Sequence, residues 1–431
     1  MPGQAHHIKL LASALAAGSL NDAQAMFART RPLVGDLRKA PWLKPLTRAL
    51  AGEFGSSPRP PKQQVADYIR AYPAYCRAWA SGRGRMATAF VETQMAPAAG
   101  APEGWKVPEI TTLRQLAHCL RLHPDDLQWL TAHASTDHYH RSWHAKPGSG
   151  NLRLIEAPKT LLRFAQRKIL QQILEAIPPH EAATGFSKGK SVRDHVHPHT
   201  EKAFVLRMDL EDFFPSIAAA RVMKVFLTAG YPDEISRTLT RLTTCATSPT
   251  VLTGRSLRHS VRQRFSHAHL PQGAPSSPAL ANLSAFRLDC RLAGLARTAG
   301  AVYSRYADDL LFSGDLSFSR QATSFQATVG AIVIEEGFIP NHRKTRGMPS
   351  SQRQKAAGLV LNSKPNIDRR DYDRLKAILN NCARHGPASQ NRDALPDFSA
   401  HLRGRIEWVR SVNSSRGEKL QQIFDRIDWP E

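Results

Sequence analysis

Two adjacent carboxylates, Asp308 and Asp309, follow Tyr306-Ala307 between apolar runs, and a third, Asp209, closes the apolar segment Phe204-Val205-Leu206-Arg207-Met208. Short apolar runs of this kind read as strands: residues 203–206 lead into Asp209, and 301–306 return as 310–312 across a tight turn. Three carboxylates would then sit at neighbouring strand ends, outside a core that their charges could not enter. Hard oxygen ligands in such a group suit Mg2+. Two ions about 3.5–4 Å apart serve phosphoryl transfer, one activating an attacking hydroxyl and the other holding a leaving pyrophosphate. A Tyr-x-Asp-Asp string alone also describes a solvated turn; the third carboxylate and the segments around it separate the two readings.

The elements that must position these groups are spread along 431 residues, 42% of them hydrophobic, enough for a substantial core and two or three structural units. Residues 1–95 read as short helices broken by Pro and Gly, with a joint at 55–61. The apolar stretch 10–20 faintly resembles a secretion signal, but its flank is poor in charge and Ile8, Leu11 and Leu15 fit one helix face, so a helix in a cytoplasmic protein is expected. A boundary falls at 96–104, before a helix carrying Leu113, Leu116 and Leu120 and capped by Thr111 or Thr112. Leu162, Ile169, Ile173 and Ile177 mark a buried helix stopped by Pro178-Pro179. The last 60 or so residues read as a small bundle, with Leu375, Ile378, Leu379 and Cys382, then Leu402, Ile406 and Val409, then Leu420, Ile423, Phe424 and Ile427 on helix faces. No internal repeat is visible, and no stretch reaches the roughly 20 apolar residues of a membrane span.

Lys and Arg outnumber Asp and Glu 59 to 36, a formal charge of +23, which points to a polyanionic partner. Arg403, Arg405 and Arg410 interleave with apolar positions near the C-terminus and suit phosphate contacts. Arg255, Arg258, Arg262 and Arg264 fit either a nucleic-acid path or a basic loop. Five scattered cysteines suggest neither disulfides nor a zinc knuckle, and His138, His140 and His144 lack acidic or thiolate partners nearby.

With these residues in view, the chain resembles the reverse transcriptases. Asp209 matches the catalytic aspartate of motif A, and Asp308 and Asp309 match the pair of motif C, with Tyr306 beside the nucleotide. Leu270-Pro271-Gln272-Gly273-Ala274-Pro275-Ser276-Ser277-Pro278 is similar to motif B, where Gln272 and Gly273 would line the nucleotide and template pocket. The resemblance makes Phe214 the aromatic wall that rejects a 2′-hydroxyl, Arg153 the grip on the triphosphate, and Lys344 of the motif D-like Gly337–Thr345 the partner of the departing pyrophosphate. It implies an α+β right-hand polymerase fold: fingers at 105–200, an antiparallel-sheet palm with finger-like insertions at 201–362, and a helical thumb at 363–431. A helical N-terminal region, 1–104, precedes them without an assigned role. Two Mg2+ ions and dNTP substrates are implied, with Asp209, Asp308 and Asp309 as both catalytic and metal-holding residues.

Within that family the chain resembles the retron type. That type has an N-A-x-x-H segment before motif A, where this chain keeps His199, and a V-T-G segment after motif D, where it keeps Gly358. Both would serve RNA or DNA recognition. The resemblance implies a structured non-coding RNA as template and primer, priming from an internal guanosine 2′-hydroxyl, a branched DNA product, and an effector protein in phage defence. A group II intron-like or other bacterial reverse transcriptase is the alternative enzyme. An RNA-binding scaffold restraining a toxic effector is the alternative outside catalysis.

Overall fold

The computed structural model describes residues 4–429 apart from 17–19, 35–39, 57–61, 82–101, 103, 133–137, 146–151 and 254–256. Most of the expected joint at 55–61 and boundary at 96–104, together with Arg255, lies outside the described residues. The chain divides into two compact units, neither continuous in sequence: residues 1–178 with 217–284, and 179–216 with 285–431.

The first unit begins with helices Gln4–Leu15, Ala23–Val34, Leu43–Phe54, Lys62–Ala71 and Pro73–Ala80. Their apolar faces enclose a core that includes Leu11, Leu15, Met26, Leu46, Leu50 and Ile69. Ile8, Leu11 and Leu15 are all buried in it, so helix Gln4–Leu15 is an amphipathic core helix. Helix Leu113–Leu120 starts on a capping box: the Thr112 hydroxyl accepts from the Gln115 amide, and the Gln115 side chain accepts from the Thr112 amide. Strands β1 (Tyr139–Ala145) and β2 (Leu152–Pro158) pair antiparallel, followed by helix Thr160–Gln172, which is amphipathic rather than buried, enclosing Leu162, Ala165, Gln166 and Ile169 and leaving Phe164 exposed. Helices Ala219–Thr228, Asp233–Thr243, His259–Ser266 and Ser277–Ser284 complete the unit.

The second unit is built on a four-stranded antiparallel sheet made of β3 (Phe204–Asp209), β4 (Val302–Tyr306), β5 (Asp309–Gly314) and β6 (Arg346–Pro349), in the order β4-β5-β3-β6. Val205 and Leu311 join the core of the C-terminal helices, while Phe312 meets Phe325 of helix Leu316–Glu335 edge-on. Both faces of the sheet are therefore covered, which is why its strands read as apolar runs rather than alternations. Gly314 permits the close approach of that helix, since a Cβ there would stand 2.6 Å from the Cβ of Phe318. A small sheet of β7 (Lys355–Ala356), β8 (Leu359–Val360) and β9 (Asn366–Ile367) leads to helices Arg369–His385, Phe398–Val412 and Ser414–Phe424. Leu375, Leu379, Cys382, Leu402, Ile406, Val409, Leu420, Phe424 and Ile427 are buried in their core as the periodicity predicts, and Gly386 at φ 78° caps the first of them. Among the described residues no helix is long and apolar enough to cross a membrane.

Truncating the fully buried Ile406 to alanine removes three carbons from this bundle. The expected loss is about 2–5 kcal/mol, read from the chemical denaturation midpoint, and a change within about 0.5 kcal/mol would contradict the packing described.

Candidate active site

Strand register brings the three carboxylates to one end of the sheet. Asp209 and Asp309 are opposed at the ends of β3 and β5, and Tyr306 is opposed to Asp309 across the β4–β5 hairpin. That leaves two connecting residues, Ala307 and Asp308, and Ala307 takes a left-handed φ of 56° at a position where Gly is usual. The Asp308 carbonyl accepts the Leu210 amide at 2.9 Å, fastening the turn to the end of β3.

Each strand-end carboxylate has a cationic partner. Arg207 lies two residues before Asp209, on the same face of β3, and its guanidinium forks onto both Asp309 oxygens at 2.8 and 2.7 Å. Asp209 is 3% exposed and accepts from Asn341 Nδ2 at 2.9 Å and Lys344 Nζ at 2.8 Å. The structure thus brings Lys344 to Asp209. Sequence reasoning assigned no role to Arg207 or Asn341, although the i, i+2 spacing of Arg207 and Asp209 on a strand is a signal for the first.

Among the described residues no side chain is ion-paired with Asp308. Burial, then repulsion from Asp209 and Asp309, raises its carboxyl to about 6. Burial also raises Asp309, partly offset by Arg207. Beneath the turn, the fully buried Arg305 donates to both oxygens of Asp289, at 2.7 and 2.6 Å, and to the Ala307 carbonyl at 3.1 Å. A buried ion pair between β4 and the neighbouring helix Phe286–Thr298 therefore holds the backbone of the carboxylate turn.

Phe213 is core, 4% exposed and packed on Phe338, whereas Phe214 stays partly accessible. Phe186, to which the sequence reading gave no role, lies 6.3 Å from Phe214 and 5.9 Å from Tyr306 by ring centroids, 49% exposed at a left-handed φ of 60°. His199 is wholly enclosed, its ring nitrogens 2.7 Å from Ser313 Oγ and 2.8 Å from Ser304 Oγ. No atom of its ring is left for RNA or DNA, so this residue braces β4 and β5 rather than making the nucleic-acid contact expected of it. Burial, then the Arg207 and Arg305 charges, depresses the neighbouring His195 to about 4, so it too is a neutral internal partner.

Gly358, at φ 83° with open space where a Cβ would be, lines one groove with Ile367, His401, Gly404, Arg405 and Trp408. Burial, then the Arg374 charge, lowers the Arg405 guanidinium, partly offset by Asp371. Arg403 lies over the Phe424 ring.

Arg153, Gln272 and Gly273 belong to the first unit. There the Glu156 amide donates to the Gln272 carbonyl at 2.8 Å, and Gly273, at φ 122°, would bring a Cβ within 3.1 Å of Ile155. Arg153 is exposed on β2. Arg258 caps helix His259–Ser266, which carries Arg262 and Arg264. His138, His140 and His144 do not converge; among the described residues Glu156, Cys245 and His269, far apart in sequence, bring their ligand atoms within 4.8 Å of one another.

The carboxylate site makes a stability prediction. Asp308 binds its proton more tightly folded than unfolded, so its charge costs stability fully above about pH 6 and not at all below about pH 4. In chelator-treated protein at pH 7.5, Asp308→Asn should gain about 1–2 kcal/mol in thermal or denaturant unfolding, shrinking as the pH falls through 6 toward 4. A loss of stability, or a gain independent of pH, would contradict the crowding inferred here.

Comparison with known proteins agrees with this geometry. Residues 144–361 match the family described as reverse transcriptase (RNA-dependent DNA polymerase). The chain is 37% identical over 279 residues to the retron Mx65 reverse transcriptase of Myxococcus xanthus, covering 63% of this chain and 61% of that protein. It is 31% identical over 326 residues to the retron Mx162 reverse transcriptase of the same organism, covering 72% and 65%. The two alignments thus span less than two thirds of those relatives' own length. To the retron Ec86 reverse transcriptase of Escherichia coli it is 30% identical over 326 residues, 75% of this chain and 91% of that one. With its carboxylates in place at the ends of β3 and β5, the chain belongs to the retron-type reverse transcriptases.

Proposed function

We propose that this protein is an RNA-directed DNA polymerase that copies a structured non-coding RNA into DNA as part of a retron. The observation that carries the reading is the opposed pair Asp209 and Asp309 with Asp308 on the adjoining turn, three carboxylates held within one sheet by strand register. The fold the family implies is a right hand, read here as fingers at 105–200, palm at 201–362 and thumb at 363–431.

The residues present fit Mg2+. Their oxygens are hard donors, Asp209 and Asp309 already attract cationic side chains, and Asp308, raised by burial and then by its two acidic neighbours, is one whose charge a bound cation would favour. Asp209, Asp308 and Asp309 would hold the ions, which when bound supply activation of a primer hydroxyl and neutralisation of pyrophosphate. The chain's own residues do the rest. Arg207 keeps Asp309 oriented through its two-point fork, and Arg305 keeps the turn at its height through the Ala307 carbonyl. Lys344, half-exposed and reaching Asp209 through a flexible stem, can turn to a phosphate oxygen as charge develops on the leaving group. Phe214 walls the sugar, favouring deoxynucleotides, while Arg153, Gln272 and Gly273 hold triphosphate and template. Gly358 and Arg405, sharing one groove beside Trp408, suit a nucleic-acid backbone, with Arg403 nearby on the same helix. The RNA, its DNA product and an effector protein acting in phage defence are the proposed partners.

Expressing the chain with its flanking intergenic DNA tests this directly. A short RNase-resistant DNA should accumulate and vanish in the Asp308→Ala, Asp309→Ala variant; debranching should shorten it. Soluble, RNA-bound wild type that makes no DNA would favour a scaffold. Phe214→Ala should lower discrimination against ribonucleotides by about tenfold or more, measured as a ratio of kcat/KM values; an unchanged ratio would remove Phe214 from the sugar wall.

A further inference from the structure

The second carboxylate network of the molecule lies in the first unit and takes no part in the chemistry above. Glu156 is wholly buried on β2, three residues after Arg153. Its Oε1 accepts from Arg141 Nε at 3.1 Å and from the Thr247 hydroxyl at 2.8 Å, and its Oε2 lies 2.8 Å from His269 Nε2. His269 Nδ1 lies 2.7 Å from the His267 carbonyl, which can only accept, so that nitrogen donates. Arg141 also donates to the Ala246 carbonyl at 3.1 Å. One carboxylate therefore ties together β1, β2, the segment 245–247 and the segment 267–269, and the last of these runs directly into Gln272-Gly273.

Two further contacts come from the Glu156 backbone. Its amide donates to the Gln272 carbonyl at 2.8 Å, and its own carbonyl lies 3.4 Å from where a Gly273 Cβ would stand. Side chain and backbone of one residue thus fix both the entry to the Gln272–Gly273 loop and the loop itself. Cys245 Sγ lies 4.0 Å from His269 Nε2, so Glu156, Cys245 and His269 superficially form a zinc set. The chemistry opposes that reading. The Arg141 guanidinium already supplies the positive charge, three donors occupy the carboxylate, and burial keeps Cys245 a thiol. Burial pushes Glu156 up, but the His269 and Thr247 hydrogen bonds and the Arg141 charge outweigh it and hold the carboxylate ionised.

We infer that Glu156 is a positioning residue that locks the Gln272–Gly273 loop to the strand pair carrying Arg153, so that the two parts of the nucleotide grip keep one spacing. The inference rests on the reading of Arg153, Gln272 and Gly273 as nucleotide-binding residues. It explains why a charged group is buried where an apolar one would be cheaper: a carboxylate can gather donors from three other segments at once, and a leucine cannot.

The test uses full-length protein with its RNA, and three variants. Glu156→Ala removes the brace. Glu156→Gln keeps an acceptor for Arg141 and Thr247 and offers His269 an amide. His269→Gln removes only the side-chain link, in case the alanine variant fails to fold. Amide hydrogen exchange at residues 270–274 reads the brace itself and needs no activity; it should accelerate at least about tenfold in Glu156→Ala or His269→Gln and be largely restored in Glu156→Gln. Steady-state kinetics read the consequence: KM for dNTP should rise about tenfold with kcat changed less than about threefold. Unchanged exchange in both disruptive variants overturns the brace. Faster exchange with a fall in kcat alone overturns its role in nucleotide positioning and leaves a structural network. Stoichiometric zinc in wild type, lost in Glu156→Ala, also overturns the proposal. A wild type without polymerase activity but with the expected exchange pattern would sink the reading of the site, not the brace.

Discussion

Like charges at the end of one antiparallel strand pair are the constraint from which the rest of the second unit follows. Asp209 and Asp309 face each other by register, and Asp308 is one residue away on the turn. In low-dielectric surroundings such a group repels itself, and the sheet can hold it only if cations are arranged around it. Arg207 answers from the same face of β3 and Lys344 from the segment following Asn341. Among the described residues no side chain is ion-paired with Asp308, whose carboxyl is raised by burial and by its two acidic neighbours.

Buried ion pairs do the positioning in both units, each in its own way. In the second, Asp289 and Arg305 are completely enclosed, and the spare donor of the guanidinium reaches the Ala307 carbonyl. In the first, Glu156 collects Arg141, Thr247 and His269 while its amide holds Gln272. Neither is a large source of net stability, because desolvation offsets most of the attraction. What each supplies is direction, since a guanidinium fork or a carboxylate with several donors has few acceptable geometries, and a backbone segment attached to it inherits that restriction. His195 and His199 extend the same logic beneath β4 and β5 in neutral form, hydrogen-bonded to Ser304 and Ser313.

Much of this was legible in the residues themselves. The strands around Asp209 and around Asp308-Asp309 announce themselves as apolar runs ending in carboxylates, and the helix faces of the C-terminal bundle follow the 3.6-residue period almost position for position. Adjacent positions that differ only in facing, such as Phe213 and Phe214, were harder: both are aromatic, and packing against Phe338 makes the first of them core. His199 shows the opposite case, a residue whose type suggested an outward contact and whose surroundings turned it inward.

The sequence alone determined the chemistry available to this protein, because carboxylates, basic residues and turn-forming glycines occur in an order that local periodicity can interpret. It also determined the apolar faces, since burial is read from patterns within a single helix or strand. Only the tertiary structure decided which distant residues share a charge. Arg207 with Asp309, Arg305 with Asp289, and Glu156 with Arg141 and His269 are separated by 15 to 113 residues of chain. Local spacing can mark one member of such a pair, as it does Arg207 beside Asp209, but not its partner: an ion pair is specified by strand register and packing, which arise from the whole core at once.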